Sequence, residues 1–158
     1  MIDIVAARAL HVLAIVVWIG GVWMATTVVL PAVRRQEPGE DRQRAFRAIE
    51  HRFAWQARTA IIVAGASGLY MCWRLNLWSW FRSGSFWWMH AMVGVWLVFF
   101  LLLFVVEPFV LHRYFPQWAS SRPESAFAWL HGVHAVLLML AVVTILGAAA
   151  GSHGWSMF

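Results

Sequence analysis

"SGSFWWMHAMVGVWLVFFLLLFVV", residues 83–106, runs for 24 residues without a charged side chain. About 20 predominantly apolar helical residues cross the hydrocarbon core of a bilayer, so this stretch reads as a membrane span. Three further stretches read the same way. Ala9–Val33 is 25 residues without a charge, Thr59–Phe81 is interrupted only by Arg74, and Ser125–Phe158 carries no charge. Composition agrees: 62% of the residues are hydrophobic and 12% charged, where soluble domains have about half and about a quarter. The first span is too long for a cleaved signal and lacks its basic leading segment. With 158 residues the chain holds one domain (1–158), with spans at about 4–32, 57–81, 85–108 and 125–150. The expected fold is all-α: an integral-membrane four-helix bundle running up-down-up-down.

The charges set an expected direction. All twelve basic residues are arginine. Arg34, Arg35, Arg42, Arg44, Arg47, Arg52 and Arg58 lie between spans one and two, and Arg113 and Arg122 between spans three and four. Only Arg8, Arg74 and Arg82 fall on the other side. Positive-inside bias then places both termini in the periplasm and both arginine-bearing links in the cytoplasm, across a bacterial inner membrane. A net charge of +5 does not point to nucleic acid, because no basic stretch interleaves with a polar binding fold. In the first link, "RRQEPGEDRQRAFRAIEHRFAWQAR", Pro38-Gly39 marks a turn and Glu40 or Asp41 opens a helix. Phe46, Ile49 and Phe53 then recur at helical spacing, which predicts an amphipathic cytoplasmic helix entering span two. "EPFVLHRYFPQW" reads as a short interfacial link, with Pro108 and Pro116 limiting the helix. The lone Cys72 excludes an intramolecular disulfide and a CxxC metal motif.

Histidine inside a span is costly and is a functional candidate by default. His11 and His90 each lie one to two turns inside the outer ends of spans one and three, which run parallel and face each other across an alternating bundle. Two imidazoles at one depth can ligate a haem iron from above and below. Gly94, Gly65 and Gly68 offer close approach for a flat macrocycle, though glycine in a span is commonly a packing site. Arg8 is placed to meet a propionate, and Trp18, seven residues beyond His11, to close the pocket. The opposite half carries His51, His112, His131 and His134. His51 with His134 would make a second haem site, with His131 near the propionate edge and Arg47, Arg52 or Arg58 pairing the carboxylates. His112 and His153 read as wet interfacial residues.

"ALHVLAIVVWIGGVWM", "ARTAIIVAGASGLYMCW" and "FWWMHAMVG" resemble the first three spans of the HemJ-type protoporphyrinogen oxidases and the related CopD-like membrane proteins. That resemblance implies a small helical membrane protein binding b-type haem, with His11 and His90 at the matching histidine positions. Two departures count against porphyrinogen oxidation and not against haem. The lysine expected two residues after the third-span histidine is Met92, and the fourth span reads "FAWLHGVHAV" in place of an acidic entry.

Three functions follow as expectations. The first is a b-type cytochrome with bis-histidine haem b, one haem or two, carrying electrons or oxidising a quinol, porphyrinogen or small oxidant in the membrane. The second is copper transport or resistance of CopD type, with Met89, His90 and Met92 offering thioether and imidazole ligands to Cu(I). The third is a non-catalytic subunit of a respiratory complex. The lipid bilayer, a quinone or porphyrin substrate and a second copy of the chain are the expected partners. No Rossmann fingerprint, P-loop, hydrolase nucleophile or structural-zinc spacing is present.

Overall fold

A computed structural model describes residues 1–35 and 40–154, apart from the side chains of residues 40–47, 50 and 112. Every long element is helical. Helix α1 (Ile2–Met24) passes through a wider π-helical turn (Ala25–Val29) into α2 (Leu30–Arg35). The 35-residue α3 (Glu40–Arg74) ends at Asn76, whose φ of 50° is the left-handed stop that asparagine tolerates. Two short 3-10 turns, Leu77–Arg82 and Gly84–Phe86, lead into α4 (Trp87–Leu101). That helix continues through a π-helical segment (Leu102–Leu111) into α5 (His112–Ser121), and α6 (Pro123–Ser152) begins with proline in its first turn.

Among the described residues three helical runs are long and apolar enough to cross a membrane: Ile2–Arg35, Gly84–Leu111 and Pro123–Ser152. The sequence reading expected four. Helix α3 falls short because Arg58, Arg74, Ser67 and Tyr70 interrupt its apolar half. The expected amphipathic helix and second span are one unbroken element. Of the expected stripe, Ile49 is exposed, Phe53 packs on the core, and the Phe46 side chain lies outside the described residues, as does the Pro38-Gly39 turn.

The closest packing is α1 along α3, with α6 touching α1 and lying along α4, and α4 touching α3. Small residues explain the first contact. Ala54, Ala57, Ala60, Ala64 and Ser67 on α3 are buried, and so are Ala7 and Ala14 on α1. Lipid is as apolar as leucine, so helices associate in it by close van der Waals approach and interhelical hydrogen bonds. Around the seam, Trp18, Ile19, Val22, Ile61, Phe99, Leu138 and Ala141 form the main core. A second core joins Leu30 and Val33 to Ala119, Ala126, Phe127 and Leu130 at the arginine-rich end. At the other end Asp3 clasps α3, accepting from the Tyr70 hydroxyl (2.8 Å) and from Arg74 Nε and Nη2 (3.0 and 2.8 Å).

Prolines do not end the helices as expected. Pro108 and Pro116 both lie inside helical segments, and Pro31 lies two residues past the end of the π turn at Val29. A wider turn moves each backbone donor's partner from four residues back to five, which accommodates a ring that would otherwise strike the preceding turn.

Two glycines on the same protein should respond with opposite signs. A Cβ at Gly65 would stand 2.7 Å from Trp96 Cζ2. That indole cannot retreat easily, because its Nε1–H donates to the Ile61 carbonyl at 2.9 Å. Gly65→Ala is expected to cost about 1–3 kcal/mol. Gly94 is exposed with open space around it, so Gly94→Ala is expected to gain roughly 0.5–1 kcal/mol from helix propensity. Thermal melts of the detergent-solubilised protein read both.

Candidate functional site

His11 is the most firmly placed of the sequence-predicted histidines. Its half-buried ring leans on α3, with Nδ1 2.9 Å from the Ala64 carbonyl and 3.1 Å from Ser67 Oγ. A carbonyl only accepts, so Nδ1 carries the proton. The Ser67 hydroxyl donates to Val63 at 2.6 Å, leaving its lone pairs toward the imidazole. A Cβ at Gly68 would meet His11 Cε1 at 3.1 Å, so this glycine is the socket for the ring. Nε2 therefore bears the lone pair and meets no hydrogen-bond partner among the described residues.

The structure does not bring His90 to it. His90 is exposed, donates Nε2–H to the Phe81 carbonyl at 3.0 Å, and sets its ring edge against Phe81. Arg8 is exposed, Gly94 lines no contact, and the notch at Gly65 is filled by Trp96. Trp18 is 4% exposed and packs edge-on against Phe99 in the core, with ring centroids 4.9 Å apart. Its indole Nε1–H is buried without an acceptor among the described residues. Such a donor costs about 1–3 kcal/mol when left unmade. Of the proposed copper ligands, Met89 is buried in helix packing and Met92 is half-buried.

The second set is also dispersed. His51 is exposed, about two turns of α3 before Arg58. His134 donates Nδ1–H to Leu130 of its own helix at 2.9 Å, leaving Nε2 with the lone pair. His131 Nδ1 accepts from Arg34 Nη1 at 3.2 Å. Arg52 is exposed, and the side chains of Arg47 and His112 lie outside the described residues. His153 is exposed and bonds Ala149 at 2.8 Å. Among the described residues no three histidine, cysteine, aspartate or glutamate side chains converge as metal ligands.

Arg58, expected to meet a propionate, has a different partner. Its Nη2–H donates to Glu107 Oε1 at 3.1 Å and its Nε–H to the Leu103 carbonyl at 3.2 Å. The second bond has its origin in the backbone. In π-helical register residue 108 would donate to the carbonyl of residue 103, but residue 108 is proline and has no N–H. The guanidinium supplies that missing donor. Glu107 is 6% exposed in the apolar run Gly84–Leu111. The sequence reading bounds span three at about 85–108 and so includes Glu107, but gives it no partner and no role. An available signal was the pair Glu107-Pro108 directly abutting an uninterrupted apolar run.

A family model described as "Domain of unknown function (DUF4149)" matches residues 13–115. The chain belongs to that family. No curated protein and no solved structure matches it. The matched region holds Trp18, Arg58, His90 and Glu107, while His11 and α6 lie outside it.

Removing Arg58 should be felt strongly. Arg58→Ala removes one donor from a buried carboxylate and another from the Leu103 carbonyl, and breaking a buried pair costs about 3–5 kcal/mol. Arg58→Lys keeps the charge but not the two-pronged donor geometry and should fall between the wild type and Arg58→Ala. A melting temperature for Arg58→Ala equal to that of the wild type would show that the pair does not hold the fold together.

Proposed function

We propose that this member of the DUF4149 family is a membrane redox protein that holds one haem b through His11. The observation carrying the proposal is the His11 imidazole, anchored at Nδ1 by Ala64 and Ser67 with Nε2 left as a ligand atom. Metal-bound histidines commonly donate their other ring N–H to a backbone carbonyl, which fixes the tautomer and aims the lone pair. The buried Trp18 N–H, two turns along the same helix, adds a donor for an acceptor atom of a bound molecule. The group bound there would supply one-electron chemistry; the protein contributes the oriented imidazole and a low-dielectric surround. His90 would join as a second ligand only after releasing the Phe81 carbonyl. A second haem at His51 and His134 draws no support from an exposed His51 and a His134 bonded within its own helix.

In this reading α3 is a fourth span, supported by the small-residue seam it shares with α1. The helices then alternate in direction, with the arginine-rich links in the cytoplasm of a bacterium and both termini in the periplasm. A quinol or porphyrin reaching the site through the bilayer is the substrate class in keeping with that placement.

The optical spectrum of the purified protein tests the reading. A Soret band with reduced α and β bands is expected, lost in His11→Ala and kept in His90→Ala. A haem content that survives His11→Ala unchanged would sink it. A reporter fused to the C-terminus and active only in the cytoplasm is expected to stay silent; activity there would invert the topology.

A further inference from the structure

We infer that Glu107 is a proton-exchange site within the membrane, with Arg58 as its resident counter-ion. The inference does not rest on the haem reading, because it concerns different residues and a different ligand, the proton. Its first support is position. Glu107 is buried in the second of the three apolar runs, Gly84–Leu111, while the other two acidic residues described in those runs lie at their ends, Asp3 as a clasp for Arg74 and Tyr70 and Glu124 exposed in the first turn of α6. Ionisable side chains inside spans mark proton and ion pathways by default.

The second support is the way Arg58 is held. It divides its donors between the carboxylate and the Leu103 carbonyl, and its side chain remains 26% exposed. When Glu107 takes up a proton the carboxylate becomes a neutral carboxyl, one proton is consumed from the aqueous phase, and no bond between heavy atoms changes. The guanidinium then keeps its bond to Leu103 and turns its free edge to solvent. Neither state strands an uncompensated charge in the apolar interior, which a proton-exchanging carboxylate requires. The third support is the backbone. The carboxyl sits on a π-helical segment interrupted by Pro108, and π turns within helices are frequent at functional sites.

The charges described on the helices around Glu107 are these. Helix α3 brings Arg58, and α4 carries His90 only at its far, exposed end. Helix α5 carries Arg113, whose guanidinium lies over its own neighbour Tyr114, and His112, whose side chain is outside the described residues. Arg34 and His131 pair with each other at the same end of the bundle.

Infrared difference spectroscopy on the full-length protein in lipid nanodiscs tests the inference without an activity assay. Acidification from about pH 9 to about pH 2 spans the ordinary glutamate value near 4.3 on both sides. A protonated-carboxyl band in the range of non-hydrated carboxyls is expected to appear, to shift in deuterium oxide, and to vanish in Glu107→Gln. Should that variant fail to fold, Glu107→Asp keeps the carboxyl and is expected to move the band. Arg58→Lys, which cannot reach both acceptors at once, is expected to raise the midpoint by about one pH unit, about tenfold in proton affinity. A wild type without the band, or a band that neither Glu107 variant alters, would overturn the assignment. A midpoint unmoved in Arg58→Lys would overturn the counter-ion role.

Discussion

Close approach between α1 and α3 is the constraint on which the rest of the bundle depends. The contact runs along both helices and comes from atoms that fit closely. Alanine and serine at residues 54, 57, 60, 64 and 67 keep the surface of α3 low enough for that. The same low surface admits the larger groups that lock the helices in register. His11 enters at Gly68, and Trp96 enters at Gly65 and bonds the Ile61 carbonyl. A helix bearing leucines at those positions would hold α1 further away and leave both polar rings with nothing to reach.

The arginine-rich half answers a different requirement, the satisfaction of every backbone polar group where water is scarce. Both apolar runs with an internal proline widen into a π turn beside it, at Ala25–Val29 and Leu102–Leu111. Near Pro31 the Thr26 and Thr27 hydroxyls bond the carbonyls of Val22 and Trp23, so the polar side chains there are satisfied within their own helix. Near Pro108 the missing donor comes from another helix, and it comes as a charge. An arginine that caps a carbonyl inside an apolar segment needs an anion nearby, and Glu107 provides it. A covalent property of one residue thus accounts for an ion pair between two helices.

The helical class and the apolar runs were legible because they depend on composition and length alone. His11 was legible too, since a histidine in an apolar run is conspicuous wherever it points. Its partner was not: the sequence suggested His90 by matched depth, but depth fixes height along the axis and says nothing about which way a ring turns. His90 turns back to Phe81 in the turn preceding its own helix. Gly65 and Gly68 were read as room for a macrocycle. The notches are real, and side chains of this chain occupy them. Glu107 falls inside the expected third span, yet nothing in the sequence gives it a role, because the partner that lets a charge lie there is on another helix. Single positions were readable; pairings between helices were not.

The Asp3 clasp has a consequence for how the chain is assembled. Its acceptor oxygen and its donors, Tyr70 and Arg74, all lie within the first 74 residues, and so does the whole alanine-rich seam. Proteins are built from the N-terminus, at about 5–20 residues per second. The two-helix unit therefore has everything it needs to close before α4 has left the ribosome. The later helices dock onto a finished template: Trp96 finds the notch at Gly65 ready, and Glu107 meets an arginine already in place. The order of synthesis then does part of the work of specifying which helices become neighbours.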